Sequence, residues 1–224
     1  MIRIKEPPIV YHVDEDDGTS QVVRQLTATM NLRCQAFASG REFLDAFEDD
    51  RCGCVVTELK VPEVNGLQIQ QYLAAEGANL PVIFLTAHGT VPLAVRALRA
   101  GAFHFLQKPV HQQELWDAIQ DAVELDEQRR EAAERAEQLR KRLGKLTMKE
   151  EQVLYLLGEA KPTRKIAKEL ELSVRTIEVR RNQIMRKLGF KSPDELIRFA
   201  MNVRNGHTNG NGNGHLKRAL VASS

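Results

Sequence analysis

Long apolar runs are missing from this chain: none of its 224 residues falls in a stretch approaching the roughly 18 needed to span a bilayer. The opening "MIRIKEPP" also lacks the apolar core of a secretory signal. These absences predict a soluble, cytoplasmic protein with no membrane partner. Cysteine is scarce as well. The three present, Cys34, Cys52 and Cys54, are odd in number, and no second Cys or His pair stands at metal-site spacing. They are expected to be reduced core residues, which excludes a zinc site and a disulfide framework.

Each half of the chain is short of one sign of charge. Residues 1–125 hold 10 Lys/Arg against 17 Asp/Glu, and the remainder holds 22 against 13. A net +2 therefore conceals halves of −7 and +9. An acidic module joined to a basic one points to a polyanionic partner for the second half, nucleic acid being the commonest. The length fits one domain of about 100–130 residues plus a smaller one. The patterns below place a first domain at 1–125, a helical linker at 126–145, a second domain at 146–204 and an Asn/Gly-rich disordered tail at 205–224.

In the first module, "PPIVYHV", "CQAFAS", "CGCVVTEL", "LPVIFLTA" and "AFHFLQKP" alternate with helical segments such as "TSQVVRQLTATMNL" and "GLQIQQYLAAEG". Several runs are continuously apolar, as strands buried on both faces are. The pattern predicts an α/β domain with a doubly wound, five-stranded parallel sheet. Ligands of such sheets sit at the carboxyl ends of the strands. At those ends stand Asp14, Glu15, Asp16 and Asp17, then Glu58, Thr86 and Lys108. Carboxylates brought together are costly to ionise without a cation among them. Lys108 or a magnesium ion, which takes few carboxylates and keeps several waters, would serve. The plainer reading of Asp14–Asp17 is a set of acids at a helix N-terminus.

The motifs "YHVDEDD", "VVTELKVPEVNG", "VIFLTAHG" and "FHFLQKP", in order over about residues 8–125, resemble those of a two-component receiver domain, a flavodoxin-like fold. The resemblance implies that Asp14 and Glu15 form the magnesium-holding acid pair and that Lys60 adds its backbone carbonyl. It implies that Thr86 and Lys108 sense the phosphoryl oxygens and that Phe105 is the aromatic switch. The family's phosphoacceptor is an aspartate. Here Glu58 stands at that position, and Val61 replaces the usual methionine before proline. The extra bond moves the carboxylate by about 1.5 Å. Misplacement of about 1 Å costs an in-line attack on the order of 100-fold. Three readings of Glu58 stay open: a fixed charge that holds an active-like state, an inert receiver serving as a platform, or a slow phosphoacceptor.

From Gln112 no proline or glycine interrupts the chain until Gly144, which predicts that the last helix of the first module runs on as the linker. Ala132, Ala136, Leu139, Leu143 and Leu146 recur at steps of four and three, a short coiled-coil seam. Four short helices follow, with start signals at Thr147 and Glu150, at Thr163, at Ser173, and at Ser192, Pro193 and Glu195. "TRKIAKELELSVRTIEVRRNQIMRKL" has the helix-turn-helix plan. On its second helix Ile177, Ile184 and Leu188 form a buried line, while Arg175, Val179, Asn182 and Arg186 lie opposite with Glu178 beside them. Those side chains suit base edges in a DNA groove. Arg181, near the buried line, is expected to meet a carboxylate such as Glu150.

Residues 147–204 resemble the LuxR-type DNA-binding domain. The resemblance implies that Glu178, Val179 and Asn182 face bases, that Arg175, Thr176 and Lys187 touch phosphates, and that the protein binds double-stranded DNA as a homodimer. The order of modules resembles a response regulator of the NarL/FixJ class. The expected function is a sequence-specific transcriptional regulator, not an enzyme, whose receiver works without phosphorylation. The alternatives are a regulator still phosphorylated by a sensor kinase, a protein-binding adaptor, and an enzyme that turns over phosphoryl groups in the acid pocket.

Overall fold

The computed structural model describes residues 7–48 and 51–208. The chain divides into two compact units, Met1–Ala133 and Glu134–Ser224. In the first, β1 (Ile9–Val13), β2 (Arg33–Phe37), β3 (Gly53–Thr57), β4 (Val82–Thr86) and β5 (His104–Gln107) alternate with α1 (Asp17–Thr29), α2 (Gly40–Ala46), α3 (Gly66–Ala75), α4 (Val91–Arg99) and α5 (Gln112–Leu143). All pairings are parallel and the strand order is β2-β1-β3-β4-β5, so the expected doubly wound sheet is present. Every residue of β1, β3 and β4 is buried, because helices cover both faces.

Period-two alternation sends successive side chains to two cores. Val10, Cys54, Val56, Ile83 and Leu85 pack with Val23 and Leu26 of α1 and with Leu115, Ile119 and Ala122 of α5. Tyr11, Val13, Val55 and Phe84 pack on the other face with Phe43, Ile69, Leu73 and Ala97. The three cysteines are free thiols on the α1/α5 side, as expected. Strand order reverses between β1 and β3, which puts the crevice at the ends of those two strands.

Helix α5 is buried on one side as far as Asp126, an acid only 1% exposed. Asp126 Oδ2 accepts from the Gly53 amide at 3.0 Å and from Arg130 Nε at 2.8 Å, tying α5 to the start of β3. Its spacing betrays it in hindsight, since it continues the buried line of Ala122 and Val123 at i+4 and i+3.

The second unit contains α6 (Met148–Gly158), α7 (Thr163–Glu169), α8 (Val174–Leu188) and α9 (Pro193–Thr208) around a core of Val153, Leu156, Ile166, Ile177, Ile184 and Leu196. The Thr147–Glu150 capping box and the Ser173 cap form as expected. Thr163 does not cap α7: Pro162 is the N-cap residue, and among the described residues no side chain caps the exposed amides. The linker seam is also corrected. Helix α5 stops at Leu143, where the Gly144 amide turns back to Arg140 O at 2.8 Å. Leu146 therefore lies outside the helix, and both Leu143 and Leu146 join the core of this unit. Beside them the Arg142 guanidinium stacks on Phe190 and Phe199, 5.1 and 4.5 Å from the ring centres. Helix α9 runs four residues past Arg204, and the rest of the expected tail lies outside the described residues.

Candidate functional site

Where β1, β3, β4 and β5 end, their polar residues meet as the topology requires. Glu58, 6% exposed, follows β3, and its amide continues the ladder to Val13 O at 2.9 Å. Gly66 makes room for this turn, since a Cβ there would stand 2.7 Å from Glu58 O and 2.8 Å from the Phe84 ring. The Glu58 side chain folds back over its own loop. Oε1 accepts from the Thr86 hydroxyl, from the Leu59 amide at 2.7 Å and from the Lys60 amide at 3.4 Å. Oε2 accepts from the Ala87 amide at 3.1 Å and lies 3.4 Å from Lys108 Nζ. Burial pushes the Glu58 carboxyl up, but the Thr86 hydroxyl, the Ala87 and Leu59 amides and the Lys108 ammonium outweigh it and hold it below the usual 4.5. Glu58 is thus an anion at neutral pH.

Lys108 also bonds Asp14, Nζ to Oδ2, at 2.6 Å. The ammonium therefore bridges the end of β1 to the end of β3. His12, beneath Asp14, adds no charge: burial pushes its pKa down to about 4, and its Nδ1 lies 3.1 Å from Val56 O.

The expected magnesium set is not assembled. Among the described residues no three His, Cys, Asp or Glu side chains converge as metal ligands. Asp14 Oδ1 takes the Asp16 amide at 3.0 Å and Oδ2 takes Lys108, both Glu58 oxygens have protein donors, and Glu15 is exposed. Lys60 is exposed beside the loop, its amide pointing at Glu58. Asp14 and Glu58 do not fit magnesium in this arrangement, because their carboxylate oxygens already accept from N–H and O–H donors. Asp16 caps α1 instead, accepting from Gly18 and Thr19 at 3.2 and 3.0 Å, which is the plainer role considered for these acids. Phe105 is half-buried against the core, 6.0 Å from the Phe84 ring, with Gly89 against its edge.

On α8 the burial follows the helical phase. Ile177, Ile184 and Leu188 are buried, while Arg175, Glu178, Val179, Asn182 and Arg186 are exposed together. Thr176 is half-buried, its hydroxyl 2.8 Å from Ser173 Oγ at the helix start. Lys187, expected at a phosphate, has a partner within the fold. Its Nζ lies 2.6 Å from Glu150 Oε2, a carboxylate 4% exposed that also takes the Thr147 amide at 2.7 Å. The expected Arg181–Glu150 pair is absent for a geometric reason. At 100° per residue Arg181 lies about 40° to one side of the buried line and Lys187 about 80° to the other. Helix α6 presents Glu150 on the Lys187 side, and Arg181 Nε is buried without a hydrogen-bond partner among the described residues.

A five-stranded parallel receiver fold with Thr86 and Lys108 closing on the end of β3, joined to a helix-turn-helix unit, defines a class of regulator. Residues 10–120 match the response regulator receiver domain family, and residues 144–200 match the LuxR family of bacterial regulatory proteins. The chain belongs to the two-component response regulators of the NarL/FixJ class, which are transcriptional regulators. It is 33% identical to the response regulator protein TmoT of Ectopseudomonas mendocina, over 88% of this chain and 89% of that one. The transcriptional regulatory protein TdiR of Thauera aromatica is 36% identical over 86% and 85%. Among solved structures, the response regulator StyR is similar at a TM-score of 0.76 and 34% identity, covering 88% of this chain and 99% of that one. Full-length FixJ from B. japonicum is similar at 0.55 and 31%, covering 92% and 100%.

Proposed function

We propose that this regulator binds specific double-stranded DNA sequences as a cytoplasmic homodimer and that its receiver, residues 1–125, needs no phosphoryl group. One observation carries the reading: the Glu58 carboxylate engages Thr86 and Lys108 together, the two residues that sense phosphoryl oxygens in receivers of this family. The longer side chain brings a fixed negative charge to where an aspartyl phosphate would place its own, with fewer oxygens and less charge. The partial packing of Phe105 against Phe84 supports this reading, since the switch aromatic of an activated receiver turns towards the core. Receivers as a family hold magnesium in the acidic pocket. In this one Lys108 supplies the positive charge between Asp14 and Glu58, so a sensor kinase and a metal are dispensable for DNA binding.

The DNA-binding domain, 146–204, follows a linker at 126–145. Glu178, Val179, Asn182 and Arg186 of α8 face base edges, while Arg175 and Thr176 hold phosphates. Lys187 is assigned to the fold instead, through Glu150. Two copies would present two recognition helices to paired half-sites. Selection from a random DNA pool by the unmodified full-length protein at moderate salt tests the reading. Enrichment of a defined sequence is expected, and a pool left unenriched overturns it.

A further inference from the structure

Between α6, α9 and the end of α5 lies a cup of about 160 Å³ that the DNA-reading face does not use. Its lining is two-tiered. Leu154, Ala200 and Val203, none more than 7% exposed, belong to the buried interior of the unit. Leu143, Glu151, Tyr155 and Arg204 are half-buried and supply the rest. Apolar cavities of about 150 Å³ in proteins stay dry and take up a single benzene ring. Water needs two to four polar partners, and the floor of the cup, Leu154, Ala200 and Val203, offers none.

We propose that this cup is a binding site for a small, single-ring, largely apolar molecule. The ring would lie against Leu154, Ala200 and Val203, with Leu143 and Tyr155 beside it. Glu151 and Arg204 stand where one polar substituent could be met. The Glu151 carboxylate has no ion pair or hydrogen bond among the described residues, and burial alone pushes it up, so it is a group open to a donor. Leu143 is the last residue of the 32-residue helix α5. An occupant would therefore fasten the end of α5 onto α6 and α9, which gives the site a route to influence the linker. The inference stands apart from the reading of Glu58, since it involves none of the receiver residues.

The test uses benzene as the probe and methyl-resolved NMR of the full-length protein as the readout. Titration should shift the methyl signals of Leu143, Leu154 and Val203 along a saturable curve and leave those of Val10, Ile83 and Ile119 in place. At five times the dissociation constant the melting transition of the second unit should rise by about 6 °C. Val203→Phe and Leu154→Phe, two independent fillings of the cup, should each abolish the saturable shifts; one folded variant suffices. Shifts that do not saturate, or that persist in a folded filled variant, overturn the proposal. So does a dependence of the same signals on protein concentration without benzene, because the occupant would then be a second copy of the chain.

Discussion

Glu58→Gln removes one charge and almost no volume, so it isolates the electrostatic role of the side chain. In the native pocket both carboxylate oxygens face donors: the Thr86 hydroxyl and Leu59 amide on one side, the Ala87 amide and Lys108 ammonium on the other. A carboxamide has one acceptor and one donor end. With its oxygen towards Leu59, its NH2 faces the Ala87 N–H and the Lys108 ammonium; flipped, it faces the Leu59 N–H. Either orientation sets donor against donor in a site where Glu58 is 6% exposed. Leaving such a buried group unsatisfied costs about 1–3 kcal/mol, more when a charge is lost. Taking about 2–3 kcal/mol, the active-like arrangement loses roughly 30- to 150-fold in population relative to a competing conformation. The assay is the affinity of full-length protein for its selected DNA, read alongside a fluorine label on Phe105. A fall in affinity of at least tenfold together with an outward-shifted Phe105 signal is expected. Wild-type affinity with an unchanged Phe105 signal would refute the idea that the charge of Glu58 sets the state.

Four further outcomes follow from particular contacts. Because the folded pKa of Glu58 is depressed, its contribution is complete above the ordinary value of 4.5 and is lost only as pH falls through the lower folded value, so DNA affinity should show no step from this group between about pH 6 and 8. Lys187→Ala leaves the buried Glu150 without its ammonium. With Lys187 about a third exposed, the loss is about 1–2 kcal/mol in denaturant unfolding of the second unit, and an unchanged unfolding midpoint would return Lys187 to the phosphate backbone. Asn182→Ala should flatten the selected base preference, whereas Arg175→Ala should weaken all sequences alike and lower the salt slope by about one; indistinguishable profiles would remove α8 from the groove. Burial pushes the Cys52 thiol up to about 12 and Cys54 higher, so neither should be alkylated by iodoacetamide at pH 8 in the native protein.

The fold was legible because its signals are local. Continuous apolar runs marked β1, β3 and β4, and the capping residues Thr147 and Ser173 marked helix starts that the structure keeps. Strand ends also told which polar residues meet, since a parallel sheet delivers Asp14, Glu58, Thr86 and Lys108 to one edge whatever their separation in sequence. What was not legible depends on rotamers and on contacts between elements. No spacing rule reveals that Glu58 folds back to take four amide and hydroxyl donors, or that Lys108 reaches Asp14 at 2.6 Å. The Glu150 partner was misassigned because proximity to a buried line says nothing of which side the neighbouring helix covers. The coiled-coil seam failed for a related reason: Gly144 ends α5, and Leu146 then follows a turn rather than the helical phase.

Independence of the receiver from phosphate is tested by incubating the full-length protein with a small acyl-phosphate donor and magnesium, then measuring intact mass and DNA affinity on the same sample. Wild type should gain no phosphoryl group and bind its selected sequence equally well before and after, while Glu58→Asp should become labelled. Stable labelling of wild type at Glu58, accompanied by a rise in DNA affinity, would contradict it.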